Sequence, residues 1–411
     1  MTTMHHGYDT SASDPHAQAG LAAFAALVLA DEALQARLGA IEQPDAYVAD
    51  AVAIAAAHGI VLDMEAIRPD RLGISRGTPS PVTLDRWPPC GWLPARAVQT
   101  GVIPVFDWAW FGPQQLDMPF YEEAVQRFAP RPFNRMFRAR TSLATLMAGA
   151  DAAPAPAGFV HHMSRCGSTL IAQMLGADPH HVVLSEPEPL DAVVRWAMTS
   201  GAPLDEQVAA LRAIVAALGR DRSGRTQRVF FKLDSWHVLA LPLFRAAFPE
   251  TPWVFAYRNP VEVLVSQRRQ RGIHTVAGML PVGLLDIPDA ENMAADRYAA
   301  LVLKRMGEAV LEHWHLGGGL LVDYTEMPGA IVDRIAPHFG FVPDPGQRAA
   351  MTAIALRSAK APGLRFVADS ATKRRDVTPE IDAAAREFTD SIHARLETLR
   401  HDTAILSEQA S

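Results

Sequence analysis

Apolar residues return at helical spacing near the start of the chain. Leu21, Phe24, Val28, Leu34 and Leu38 share one stripe of a helix over residues 20–39, which Gly39 stops. Pro44 and Asp45 open a second helix with Tyr47, Val48, Ala51, Val52, Ile54 and Ala55 on its apolar side, ending at His58-Gly59. Asp63-Met64-Glu65-Ala66-Ile67 begins a third, cut short by Pro69. Residues 71–155 carry Trp87-Pro88-Pro89, Trp92-Leu93-Pro94, Asp107-Trp108-Ala109-Trp110 and Arg131-Pro132 with no sustained period. They read as a connecting and covering segment whose aromatics either pack a junction or line an acceptor site. Asp151 to Gly158 (DAAPAPAG) reads as a linker. From Gly158 onward short apolar runs alternate with helical segments, which predicts a parallel α/β sheet flanked by helices. The chain thus divides into a disordered start (1–19), a small all-α module (20–75), the connecting segment (76–155) and an α/β domain (156–411), with no internal repeat.

Composition narrows the function classes. The 411 residues are 49% apolar and 20% charged, which excludes wholesale disorder and collagen-like repeats. A net charge of −7 gives no electrostatic ground for a nucleic-acid or anionic-membrane partner, so any anion must be held by local groups. Two cysteines, Cys90 and Cys166, cannot build a disulfide framework or a Cys-based zinc site. Residues 1–20 lack signal-peptide order, and no apolar run reaches the ~20 residues that span a bilayer. The expectation is a cytoplasmic protein. The adjacent pairs His5-His6, His161-His162 and His180-His181 do not share a helix face or match H-E-x-x-H, so no metal is expected.

Two segments carry anion chemistry. Gly158 to Met163 reads as a strand running into Ser164-Arg165-Cys166-Gly167-Ser168-Thr169 and a helix from Leu170 to Gly176. A strand, a tight loop and a helix N-terminus present backbone N–H groups to a phosphate, and Arg165 adds a guanidinium fork. Walker A is not satisfied, because position 162 is not Gly and Ser168 stands where Lys is required. Trp253 to Tyr257 reads as a buried strand that Arg258-Asn259-Pro260 turns into a helix, with Asn259 as N-cap and Ser266 eight residues after Arg258. Two anion stations on one sheet suggest a ligand with separated anionic groups.

These residues resemble the sulfotransferases that use 3′-phosphoadenosine 5′-phosphosulfate (PAPS) and release 3′-phosphoadenosine 5′-phosphate (PAP). Ser164 to Thr169 (SRCGST) is similar to their 5′-phosphosulfate loop, with Arg165 where cytosolic members have Lys. Tyr257-Arg258-Asn259-Pro260 through Ser266 is similar to their 3′-phosphate motif. Leu321 to Pro328, running on to Phe339-Gly340-Phe341, is similar to a later conserved segment, and the three stand in family order across residues 158–345. The tyrosylprotein type is the nearest variety: Glu186, 21 residues after Arg165, resembles its catalytic Glu, with Glu188 as rival. The resemblance implies a P-loop-like fold and in-line transfer to a hydroxyl on a peptide, phenol, lipid or small alcohol. Glu186 would be the base, with Lys232, at the end of Val229-Phe230-Phe231, and Arg165 holding developing charge. Cys166, Gly167, Ser168 and Thr169 would cradle phosphate, and Tyr324 would contact adenine or else serve the core. Lys373 and Arg374 would close on the 3′-phosphate or else form a solvated charge run, since the family's R-K-G signature is missing. Most of Arg268, Arg269 and Arg271 would face water.

A second resemblance covers about residues 20–70. Phe24, Val28, Asp31, Leu34-Gln35 and Leu38, with Tyr47 and Gly59-Ile60, are similar to the Nif11 family, known from nitrogen-fixation operons and leader peptides of ribosomal natural products. It implies a helical module that either packs as an appendage or docks a peptide or protein partner. Two rivals follow: a non-catalytic peptide-binding scaffold in natural-product biosynthesis, and a divergent nucleotide-dependent kinase.

Overall fold

The computed structural model describes residues 15–64, 67, 81–99, 101–150, 155–280, 283–358, 361–365 and 370–409. Residues 65 and 66 of the expected third helix, residues 151–154 of the linker and residue 369 of the late basic segment lie outside the described residues. Three helices come first: α1 (Pro15–Ala30), α2 (Glu32–Gly39) and α3 (Pro44–Ala57). The single helix expected over 20–39 is two helices bent by 106°. Asp31 causes the break. Its carboxylate accepts from the backbone N–H groups of Ala33 and Leu34, offering the chain an N-cap in place of helix continuation. Gln35 closes the other side, donating to the carbonyls of Val28 and Leu29 at 3.1 Å.

The segment read as connecting is a four-stranded sheet with helices. It contains β1 (Val82–Thr83), β2 (Trp92–Gln99), β3 (Pro104–Trp110), α4 (Tyr121–Phe128), α5 (Pro132–Met136), β4 (Ala139–Ser142) and α6 (Leu143–Ala148), in strand order β1-β4-β3-β2. Its alternation is obscured by a register shift between Pro94 and Arg96, and by Asp107, a strand acid held by Arg138 and Arg140. Trp92, Trp108 and Trp110 are buried, so these aromatics pack a junction. Trp92 Nε1–H donates to Gln35 Oε1 at 2.8 Å, joining this sheet to the helix bend. Gln35→Ala removes the partner of a buried indole N–H and of two helix-end carbonyls. It should cost about 1–3 kcal/mol, seen as a lower denaturant midpoint at unchanged slope.

The remaining chain builds the main sheet. It runs β5 (Gly158–His162), α7 (Ser168–Leu175), β6 (His181–Ser185), α8 (Glu188–Thr199), α9 (Leu204–Leu218), β7 (Arg228–Lys232), α10 (Leu241–Ala247), β8 (Trp253–Tyr257), α11 (Pro260–Arg269), α12 (Ala295–His313) and β9 (Gly319–Asp323). There follow α13 (Ala336–His338), α14 (Pro345–Ala355), a small antiparallel pair β10 (Arg357–Ser358) and β11 (Ala361–Arg365), then α15 (Ser370–Arg375), α16 (Pro379–Phe388) and α17 (Asp390–Gln409). Strands β6-β7-β5-β8-β9 lie in that order, every neighbouring pair parallel. Both faces are covered, as a parallel sheet requires. Val160, Phe230, Val254 and Val322 face one core with Ile171, Leu175 and Ile335. Phe159, Phe231, Phe255 and Leu321 face the other, with α8, α9, α10 and α12. Among the described residues no single helix is long and apolar enough to cross a membrane.

Topology places the site. From central β5 the chain goes outward to β6 and returns through β7, then crosses to β8 and β9 on the opposite side. Connections therefore diverge at β5, and the crevice at the carboxyl ends of its neighbours is where such sheets bind ligands.

Candidate active site

Every strand of the main sheet brings a singled-out residue to its carboxyl end: the 164–167 loop follows β5, Glu186 follows β6, Lys232 ends β7, Arg258 follows β8 and Tyr324 follows β9. The backbone there is strained. Of the five non-glycine residues with left-handed φ among the described residues, three are Ser164 (70°), Arg165 (55°) and Glu186 (51°). Such conformations cost on the order of 1–3 kcal/mol each and cluster at functional sites.

The β5 loop is held from behind. Ser164 N–H donates to His162 Nδ1 at 3.0 Å, and Gln267 Nε2–H donates to Ser164 Oγ at 3.0 Å. Cys166 is buried and its thiol donates to the Ala256 carbonyl at 3.0 Å. Burial pushes that thiol up to about 11, so it packs and does not react. Gly167 caps α7 at φ 86°, and a Cβ there would lie 3.2 Å from the Tyr324 ring. Ser168 and Thr169 start α7 with buried side chains, and the N–H groups of Leu170 and Ile171 turn back to the Gly167 carbonyl at 2.9 and 3.2 Å. Gly167→Ala meets both the φ penalty and the ring. It should weaken anion binding by about 1–2 kcal/mol, roughly 5- to 30-fold in Kd by titration calorimetry.

Lys232 is 1% exposed and ion-paired with Glu186. Glu186 N–H donates to the Lys232 carbonyl at 2.7 Å, carrying the β6–β7 ladder one step past the strand end. His162 joins them: its Nδ1 accepts from Ser164, so Nε2 carries the proton and donates to the Leu233 carbonyl at 2.9 Å, with Glu186 Oε1 at 3.5 Å. Burial, reinforced by the Lys232 charge, lowers the His162 pKa and keeps the ring neutral. Burial alone would raise the Glu186 pKa, but the Lys232 charge and the His162 hydrogen bond outweigh it and hold the carboxyl well below the usual range. Phe120 places its ring 5.2 Å from Lys232 Nζ. Glu188 is not brought to Lys232; its carboxylate accepts from Ala97 N–H at 2.7 Å and anchors β2.

Across the β5 loop lies a second cationic station. Arg258 is 3% exposed, stacks 3.9 Å above the Tyr324 ring and donates through Nε to Glu262 at 2.7 Å. Tyr324 thus lies between the Arg258 guanidinium and Gly167. Ser266, also buried, donates to the Glu262 carbonyl at 3.1 Å. Arg374 Nε reaches the other Glu262 oxygen at 3.2 Å from an exposed position, whereas Lys373 is buried. Arg268 and Arg269 are half exposed but tied to Thr378 and Asp376, and Arg271 pairs with Asp296.

Sequence reasoning missed four members of this cluster: His162, Glu262, Gln267 and Asp234. Gln267 gave no signal of its own, lying between Ser266 and Arg268 in α11; it is fully buried, and its Oε1 also accepts from Gly272 N–H and Thr275 Oγ1–H.

No protein-family model and no curated protein matches the chain. Among solved structures it is similar to the sulfotransferase STF1 from Mycobacterium tuberculosis H37Rv, over 58% of this chain and 77% of that one, at 17% identity and TM-score 0.38. It is similar to the sulfotransferase STF9 from Mycobacterium avium over 57% and 78%, at 14% identity and TM-score 0.33. It is also similar to the sulfotransferase domain from the curacin biosynthetic pathway over 60% and 98%, at 12% identity and TM-score 0.36.

Proposed function

We propose that the chain is a sulfotransferase that moves a sulfuryl group from PAPS to an acceptor hydroxyl. The observation that carries this reading is the pair of buried cations, Lys232 and Arg258, on opposite sides of the strained β5 loop at the ends of a parallel sheet. Burying such charges is costly unless an anion meets them. Each has an internal carboxylate partner here, Glu186 and Glu262. A ligand with two separated anionic groups would replace both.

On this reading the 5′-phosphosulfate lies on loop N–H groups within residues 165–169, with Ser164, Ser168 and Thr169 hydroxyls and the Arg165 fork around it. The 3′-phosphate lies on Arg258 and Ser266, with Lys373 and Arg374 closing from α15, and adenine lies against Tyr324. Lys232 turns from Glu186 to the bridging oxygen and, with Arg165, stabilises the charge that gathers there as the S–O bond breaks. Glu186 adjoins the reacting centre and supplies the counter-charge that holds Lys232 ready. The reaction calls for no metal. The helices of residues 15–57 pack beside the small sheet, where they are available to a peptide or protein partner, and the acceptor belongs to the hydroxyl class.

Calorimetry with PAP tests the reading. PAP should bind wild type and bind Arg165→Ala at least about tenfold more weakly, the loss of one charge-assisted contact of ~1.5 kcal/mol or more. ATP should not match PAP. Equal binding of ATP would favour a kinase; no binding of PAP would leave the scaffold reading.

A further inference from the structure

Four carboxylates surround the ends of β6 and β7: Glu186, Glu188, Asp191 and Asp234. Three are engaged. Glu186 holds Lys232 and faces His162, Glu188 accepts from Ala97 N–H, and Asp191 takes Trp236 Nε1–H at 2.9 Å and His237 Nε2–H at 3.0 Å on one oxygen and Arg195 on the other. Asp234 differs. The nearest side-chain nitrogen facing it, His237 Nε2, is 3.9 Å away, beyond hydrogen-bond range, and no hydrogen bond to its carboxylate is present among the described residues. It follows Lys232 by two residues, just past the end of β7, and 29% of its side chain remains reachable by solvent.

A proton acceptor needs an uncommitted lone pair that the acceptor hydroxyl can approach, and a carboxylate locked to an ammonium makes a weak base. We propose that Asp234 is the catalytic residue that takes the acceptor's proton, while Glu186 acts as the counter-ion that positions Lys232. This rests on the sulfuryl-transfer reading. The acceptor oxygen forms a bond to sulfur with its own electron pair. The bond between sulfur and the 5′-phosphate oxygen breaks, its electrons staying on that oxygen beside Lys232. The O–H proton passes to an Asp234 carboxylate oxygen, and a sulfate ester and PAP leave.

The electrostatics agree with the geometry. Burial raises the Asp234 carboxyl; His237 and Lys232 oppose the rise, Glu186 and Asp191 add to it, and the result is about 7. His237 and Asp191 face it from the helical turn after β7 and from α8, Lys232 from β7 and Glu186 from the end of β6. A base with that pKa is charged and still proton-hungry near neutrality, whereas Glu186 is held low by Lys232.

The test compares Asp234→Asn and Glu186→Gln. PAP affinity is read by calorimetry. PAP release from PAPS is followed from about pH 5 to 9, with water and then a simple aliphatic alcohol, which keeps its O–H proton across that range, as probe acceptors. Carbon-13 carboxyl titration of the PAP complex reads protonation without turnover. The rate should rise with pH through about 7, as Asp234 loses its proton. Asp234→Asn should bind PAP as wild type does, lose roughly 100-fold or more in rate, lose that rise, and remove a carboxyl resonance titrating near 7. Retention of the rise by Asp234→Asn, its loss in Glu186→Gln alone, or the absence of any carboxyl titrating near 7 would overturn the proposal. Failure of wild type to bind PAP would instead strike the sulfuryl-transfer reading beneath it.

Discussion

Lys232→Met should nearly abolish turnover while leaving PAPS bound. Loss of one preorganised group at a developing charge typically costs about 3–4 kcal/mol of transition-state stabilisation, roughly a 10²- to 10³-fold fall in rate. PAPS lacks that charge on its bridging oxygen, which appears as the S–O bond breaks, so the fall belongs to turnover and PAPS affinity should stay within about 1 kcal/mol of wild type, whereas PAP, which carries the charge, should bind more weakly. A second consequence separates this from a local packing defect. With its strongest stabiliser gone, Glu186 protonates more readily. In wild type its depressed pKa contributes stability above the ordinary carboxylate range, lost as pH falls through the folded value. Lys232→Met lacks that contribution, so it should be less stable near neutrality and draw level with wild type on acidification. The neutral deficit belongs at the low end of the about 3–5 kcal/mol for a broken buried pair, because Glu186 keeps 27% of its side chain exposed. Thermal unfolding of both proteins from acid to neutral pH checks this.

Arg258→Ala should act on binding. Truncating one partner of a buried, hydrogen-bonded charge costs about 2–4 kcal/mol, roughly 30- to 1,000-fold in Kd. The loss should depend on the ligand. Arg258 and Ser266 are assigned to the 3′-phosphate, so the variant should bind PAP and adenosine 5′-phosphate alike, whereas wild type prefers PAP. Removing the guanidinium also uncovers one face of Tyr324 and leaves Glu262 with the exposed Arg374. Some stability should fall as well, and titration of both nucleotides on folded protein separates the two effects. A uniform loss for both ligands would place Arg258 elsewhere than under the 3′-phosphate.

The strand-end residues were legible in the sequence because a buried parallel strand ending in Lys or Arg is unusual on its face: Lys232 after Val-Phe-Phe and Arg258 after a five-residue apolar run stand out without any structure. The N-cap at Asn259 was legible for the same local reason, and its side chain does accept from Val261 N–H. Three things were not. The bend at Asp31 depends on a competition between cap and helix continuation that apolar periodicity does not register. The small sheet of residues 82–142 hides behind a register shift and an acid inside a strand, both of which break period-2 alternation. The third concerns partners distant in sequence: Glu188 and Glu186 are two residues apart, and only the position of β2 shows that Glu188 is committed to Ala97. Tyr324 likewise needed the fold, since its neighbours Arg258 and Gly167 lie far away in the chain.

The most direct measurement of the central claim is a crystal structure with PAP bound. The account predicts the 5′-phosphate on the loop of residues 164–169, the 3′-phosphate on Arg258 and Ser266 with Glu262 displaced from the guanidinium, and adenine against Tyr324. PAP bound away from the carboxyl ends of β5 and β8, or phosphates touching neither Arg258 nor the β5 loop, would contradict it.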